Sequence, residues 1–251
     1  MNLRPSHLLY NYLHIVQFDL HKAMMEHKLN HLSGSVKGKW LDIGAGDQPY
    51  RKYFAKADAY LTTNTKRHYS ENEQQKLNNL TTYWIEDGKH LPLADNSVDG
   101  VACFQVLSVI DKPEEFFCEI NRVLKPGGKL VLTTDFLYPV WSSEDRLRHT
   151  GFDLIQLCES SGLANAEVES FGGFGSMMYA NFMRYMRSFP EIWKSKGLFA
   201  KAVTSVLYLL LLVLLPLASL KGLIIYWIEK NNTGNTAFTF NLLLTAEKTA
   251  I

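Results

Sequence analysis

Cysteine is scarce in this chain of 251 residues. Cys103, Cys118 and Cys158 are the only three, and no two stand in a CxxC pair. That argues against a disulfide-stapled scaffold, and the three read as reduced thiols in a core. Net charge is scarce too, at +1, so no nucleic acid or other polyanion is implied as a partner. Residues 1–30 mix polar and apolar side chains, unlike a secretory leader, which points to a cytoplasmic-facing protein. Internal repeats are absent. What remains is 47% hydrophobic and 20% charged, enough to bury one large core or two small ones.

The apolar residues fall into alternating patterns. Leu9, Leu13, Val16, Leu20 and Met24 recur at helical spacing across residues 6–32. KWLDIG then reads as a short buried strand, and QPYRKYFAKA as a helix opening after a glycine turn. AYLTTN (59–64), TTYWIED (81–87), SVDGVACFQV (97–106) and KLVLTTDF (129–136) are predicted strands. A polar surface stretch, TKRHYSENEQQKLNN, separates the first two of them. KPEEFFCEINRVL (112–124) and FDLIQLCESSG (152–162) are predicted helices. AEVESF (166–171) and AFTFNLLLTAEK (237–248) supply a sixth and a seventh strand. Strands alternating with helices predict a doubly wound α/β sheet, mostly parallel. Its ligand would sit at the carboxyl ends of strands one and four, where the winding reverses.

The stretch WLDIGAGDQPYRKYF (40–54) lies at that point. A dinucleotide turn wants a third small residue after its two glycines, and here Pro49 and Tyr50 stand instead. No lysine follows at P-loop spacing. A carboxylate at Asp42 would repel a phosphate but attract a cationic ligand. S-adenosylmethionine carries a sulfonium and an ammonium and no phosphate, so the stretch favours it over NAD.

LDIGAGDQPY, EDGKHLPLADNSVDGV, EEFFCEINRVLKPGG and KLVLTT occur in an order and spacing that resemble a class I S-adenosylmethionine-dependent methyltransferase of the type 11 group. The likeness covers residues 40–135 strongly and reaches weakly to the last strand. It implies a Rossmann-like seven-stranded sheet whose final strand is antiparallel. It also implies a cofactor site. Gly44, Ala45 and Gly46 would let backbone approach the methionine and ribose. Asp42 would order the turn and draw the ammonium. Asp87 and Gly88 would hold the adenine, with Phe104 and Gln105 lining the pocket. His14 and His21 share a face of the N-terminal helix, which in this family can cover the pocket.

Two positions depart from the pattern. Asn64 stands where the family usually has an acid gripping both ribose hydroxyls, which predicts weaker cofactor binding by about 1–2 kcal/mol. Ser108 stands about where many relatives have a histidine. These losses leave a second reading, a non-catalytic, membrane-associated binding protein on a degenerate methyltransferase fold. Methyl transfer needs mainly alignment, but a hydroxyl acceptor often needs a base as well. His149 and Asp145, in SSEDRLRHTGFD, are the catalytic candidates, against the plainer reading of a polar loop with a helix cap. His68 and His90 read as surface residues, and no metal site is expected.

Between strands six and seven, Val203–Leu220 runs for 18 residues without a charge. As a helix it would measure about 27 Å, close to the bilayer core of about 30 Å. Trp193, Tyr226 and Trp227 bracket it like interfacial anchors. One crossing would put strand seven on the wrong side of a membrane from strand six. A hairpin, re-entrant or in-plane insertion turning near Pro216 or at Lys221–Gly222 is therefore predicted, with membrane contact through 203–228 at the inner face. An apolar dimer interface or a wholly buried helix pair are the alternatives. The expected division is a helical cover (1–36), a methyltransferase core (37–175 and 233–251) and an apolar helical insertion (176–232). The expected acceptor is a small molecule, a glycan or a lipid-linked molecule.

Overall fold

The computed structural model describes residues 19–32, 34, 36–138, 140, 143–192, 197–231 and 239–250. In chain order the elements are α1 (Leu20–Leu32), β1 (Lys39–Ile43), β2 (Ala59–Thr65), α2 (Glu71–Leu77), β3 (Tyr83–Ile85), β4 (Val98–Phe104), α3 (Pro113–Val123), β5 (Leu124–Asp135), α4 (Gly151–Ser160), β6 (Leu163–Phe171), α5 (Phe174–Ile192), α6 (Leu198–Glu229) and β7 (Asn241–Lys248). The seven strands form one sheet in the order β3-β2-β1-β4-β5-β7-β6. β3, β2, β1, β4 and β5 are parallel, and β7 runs antiparallel between β5 and β6. This is the predicted Rossmann-like α/β fold with its antiparallel last strand.

Strand residues alternate between two cores, as a period of two requires. Leu41, Val101, Cys103, Leu130 and Leu132 face α3 and α4, which contribute Phe116, Phe117, Ile120, Leu154 and Leu157. Trp40, Ala102, Phe104, Val131 and Leu243 face the other way. There Leu20, Met24, Met25 and Leu29 of α1 meet Tyr179 and Met183 of α5, with Ile225 and Tyr226 of α6 packed alongside. The helix expected over 6–32 is thus present in its second half; Leu9, Leu13, Val16 and His14 lie outside the described residues.

Two expectations are corrected, and a third, the polar surface stretch, gains detail. The helix expected after the glycines is a single 3-10 turn, Arg51–Phe54. Only residues 44–58 join β1 to β2, and Pro49 lies among them. The polar stretch contains the short helix α2, closed by a capping box in which the Ser70 N–H and Oγ both donate to Glu73 Oε2, at 2.9 and 2.6 Å. The apolar hairpin does not turn at Pro216 or at Lys221–Gly222, because α6 continues through both.

The return of the chain is made by α5 and α6 together. Glu229, at the end of α6, reaches the start of α5 and accepts from the backbone N–H of Gly173, Gly175 and Ser176 at 2.8–2.9 Å, and from the Ser176 hydroxyl. A carboxylate at a helix N-terminus meets orphan N–H groups and the positive end of the dipole. Gly222 is a contact rather than a turn: a Cβ there would lie 2.4 Å from the Tyr179 ring. Among the described residues no helix is long and apolar enough to cross a membrane.

Candidate functional site

The carboxyl ends of β1, β2 and β4, with the loops beyond β3 and β5, enclose a cavity of about 420 Å³. It brings together six of the predicted residues: Gly44, Asn64, Asp87, Gly88, Phe104 and Gln105. Its glycines are required by geometry. Gly44 has φ +72°, and a Cβ there would lie 2.5 Å from Val106. A Cβ on Gly88 would lie 2.7 Å from the Phe116 ring. At both places bare backbone forms the wall, so a ligand can approach the main chain.

Asn64 closes the turn from below. Its Oδ1 accepts from Gly46 N at 2.9 Å and from the Tyr69 hydroxyl at 3.4 Å. Its Nδ2 donates to Thr81 Oγ1 at 2.9 Å and to Gly46 O at 3.3 Å. The amide braces the glycine turn, a task a carboxylate could fill only in part, since it has no donor for Gly46 O. Asp87 accepts from the Lys89 N–H at 2.9 Å. Burial pushes its carboxyl up, but that bond and the Lys89 ammonium outweigh it and hold Asp87 below its ordinary range, so it is ionised.

Gln105 stands just past β4 with φ 59°, a left-handed conformation that is strained for a residue with a side chain. Its Nε2 donates to Thr133 Oγ1 at 3.1 Å and to Asn241 Oδ1 at 3.2 Å, while its Oε1 is buried without a partner among the described residues.

Three predicted cofactor residues are placed elsewhere. Ala45 and Gly46 complete the turn without lining the cavity; the N–H groups of Gly44 and Ala45 both donate to Thr63 O. Asp42 points into the sheet face below, where its Oδ2 accepts from the Tyr60 hydroxyl and its Oδ1 has no partner among the described residues. Burial pushes its pKa up to about 7, against the pull of Tyr60. A half-protonated acid outside the cavity is a poor attractor for an ammonium, which corrects that part of the expectation.

The catalytic candidates are each paired within their own segment. Asp145 is ion-paired to Arg148, and His149 Nδ1 is bonded to Asp153. Neither lines the cofactor cavity, whose wall on that side is made by Ser143 and Glu144. Their loop leads instead to the Thr150 cap of α4, whose side chain accepts from Asp153 N. His90 is exposed as expected. His68 is also exposed, yet it lines the cavity and pairs with Glu144 at 3.0 Å across its mouth. Lys89 similarly lies 3.5 Å from both Asp87 and Asp111. The His68–Glu144 and Lys89–Asp111 pairs carried no local sequence signal, because their members come from separate loops.

A parallel sheet with a glycine turn at its switch point and a cavity at its carboxyl ends defines an α/β enzyme that holds a nucleotide-like cofactor. Residues 41–132 match the family model described as a methyltransferase domain. The chain is 27% identical over 205 residues to a demethylmenaquinone methyltransferase of Staphylococcus haemolyticus, covering 67% of this chain and 86% of that protein. It is 30% identical over 135 residues to a malonyl-[acyl-carrier protein] O-methyltransferase of Hahella chejuensis, covering 51% of this chain and 47% of that one. Its fold is similar to that of phosphoethanolamine N-methyltransferase 2 of Haemonchus contortus in complex with S-adenosylmethionine. That likeness has a TM-score of 0.52 at 16% identity, over 85% of this chain and 49% of that one. The chain thus spans most of the first of these proteins and about half of the other two. Residues 41–132 thus form a class I S-adenosylmethionine-dependent methyltransferase domain, and S-adenosylmethionine is its cofactor.

Proposed function

We propose that the chain moves a methyl group from S-adenosylmethionine to a small-molecule or lipid-linked acceptor, with the cofactor in the cavity at Gly44. The carrying observation is the bare backbone at Gly44 and Gly88 in one cavity with an ionised carboxylate, Asp87. Bare walls suit close contact with the methionine and adenine parts, and Asp87 suits the adenine amino group. When bound, the cofactor supplies an electrophilic methyl on a good leaving group, so the chain's own contribution is chiefly alignment and exclusion of water. Asn64 holds the turn in shape, and Phe104 and Gln105 form the floor.

Calorimetric titration with S-adenosylhomocysteine tests this reading. Saturable binding that is lost in Gly44→Val is expected; no binding by the intact chain overturns it. The alternative, a non-catalytic binding protein on this fold, has no support from the relatives described above, all of which bear methyltransferase names.

The outer face of α6 carries Val213, Leu217, Ile224, Trp227 and Ile228, all more than half exposed. The Lys230 ammonium lies 3.5 Å from the Trp227 ring centroid, an amphipathic pairing suited to a headgroup layer. We place this face in shallow contact with a membrane on its cytoplasmic side, with the helix in the plane of the surface. Flotation with liposomes tests it, and a chain that stays wholly with the aqueous fraction overturns it.

A further inference from the structure

The loop after β5 is a wall between two cavities. Its Ser143 and Glu144 line the cofactor cavity, while Asp145, Arg146 and Arg148 line an open groove of about 600 Å³ on the other side. The loop is pinned in place. The backbone N–H groups of Arg146 and Leu147 donate to Ser108 O at 3.0 and 3.3 Å. Ser108 lies in the short turn Leu107–Val109 after β4, and Val109 of that turn also lines the cofactor cavity. A ligand in the groove is therefore one loop away from the cofactor.

The groove has a charged wall and an apolar one. On the charged wall Arg148 is committed: its guanidinium grips both oxygens of Asp145 and donates to Leu147 O at 2.9 Å. Arg146 is exposed, and its guanidinium has no hydrogen bond or ion pair among the described residues. A third guanidinium, Arg184 of α5, lies 5.4 Å from the centroid of the Tyr138 ring, which lines the groove. Behind them the buried Asp135 carboxyl feels both Arg148 and Arg184. Three guanidinium groups thus meet two carboxyls, Asp135 and Asp145, and the surplus positive charge lies at Arg146. The apolar wall is made by Val140 and by Met177 and Met178 of α5. Methionine side chains adapt to a flexible chain. Met178 also belongs to the exposed apolar stripe Phe174–Met178–Phe182–Tyr185, so the groove opens onto that face of the hairpin.

We propose that this groove binds the methyl acceptor, and that the acceptor is an anionic amphiphile. Its oxyanion head, a carboxylate or a phosphate, sits on the Arg146 guanidinium, and its apolar tail lies along Val140, Met177 and Met178. The planar guanidinium fork matches two oxygens of such a head. A neutral head leaves the surplus charge unmet, and a cationic head is repelled by it. Asp145 lines the same wall, but Arg148 neutralises it. This assignment rests on the methyltransferase reading, which supplies the reaction; the groove supplies the class of acceptor.

The test uses the full chain and four probes, octanoate, octyl phosphate, 1-octanol and acetate, followed by ligand-observed NMR and calorimetry. The tighter of octanoate and octyl phosphate is expected to bind about tenfold more tightly than 1-octanol. Octanoate should also bind at least about tenfold more tightly than acetate, which has the head without the tail. Arg146→Gln should bring both anionic probes down to the level of 1-octanol. Arg146→Lys, which keeps the charge but not the fork, should fall between the two. S-adenosylhomocysteine titrations of both variants should match those of the unaltered chain, showing that the loop and the cofactor cavity are intact. Equal affinity for octanoate, octyl phosphate and 1-octanol, or an Arg146→Gln variant that leaves their ranking unchanged, would overturn the proposal. Anion selectivity in a chain that binds no S-adenosylhomocysteine would instead sink the methyltransferase reading and leave the amphiphile site standing.

Discussion

β5 and α6 are both long and apolar, yet they meet opposite fates. In β5, Leu130 and Leu132 are fully buried and Val131 nearly so, because helices cover both faces of the sheet. In α6, Val213 and Ile228 are each 73% exposed. The same residue types serve as cement in one element and as surface in the other. Apolar composition therefore reports burial only where the topology supplies a partner on each side. The sheet interior is complete within the chain; the outer face of the hairpin is not.

The sharpest way to break this contrast is to truncate a buried residue. Phe116→Ala should cost about 3–5 kcal/mol in denaturant unfolding, because the ring is fully buried and walls the Gly88 loop. Glu229→Gln removes the charge from the clasp between α5 and α6. A loss of about 1–3 kcal/mol is expected, with faster hydrogen exchange at 173–176 and little change in the strands. If exchange at 173–176 stayed as slow as before, the clasp would not be what joins the hairpin to the sheet.

The pH dependence probes the interior again. Folding raises the Asp42 pKa to about 7, so the folded chain keeps a proton that the unfolded chain releases nearer its ordinary value. This contribution to stability is full below the ordinary carboxylate range and is lost as the pH climbs to 7. Asp42→Asn should flatten the unfolding profile over that interval by up to about 1.4 kcal/mol per pH unit. An unchanged slope would show that Asp42 titrates normally. The smallest effect is expected at the surface. Val213→Ser should move stability by no more than about 0.5 kcal/mol, yet should weaken liposome flotation. A large loss of stability there would mean that the face is internal packing after all.

Much of the sheet was readable because its strands are short apolar runs punctuated by Gly, Pro and Asp. Gly44 and Asp87 were found for that reason: both sit at strand ends that the pattern marks. The 3-10 turn after β1 was misread as a helix because QPYRKYFAKA carries good helix formers, and only the short tether to β2 denies them room. The capping box Ser70–Glu73 was a legible signal inside a stretch that is polar surface, as expected. The helical stripe Phe174–Met178–Phe182–Tyr185 was equally legible and marks α5. Asp42 was misjudged because a strand pattern gives the face of a side chain but not the cavity beside it. The approach of His21 to Asn241 had no sequence signature at all, since it joins opposite ends of the chain through the sheet.

The strand order has a consequence for synthesis. β6 is made before α5 and α6, but its neighbour in the sheet is β7, the last element of the chain. Until β7 is inserted, β5 and β6 have no contact as strands, and Asn241 is missing from beneath Gln105. A ribosome-bound chain therefore carries its apolar hairpin before the sheet that anchors it is closed. Insertion of β7 between β5 and β6 is the event that locks the sheet and completes the floor beneath Gln105 in one step.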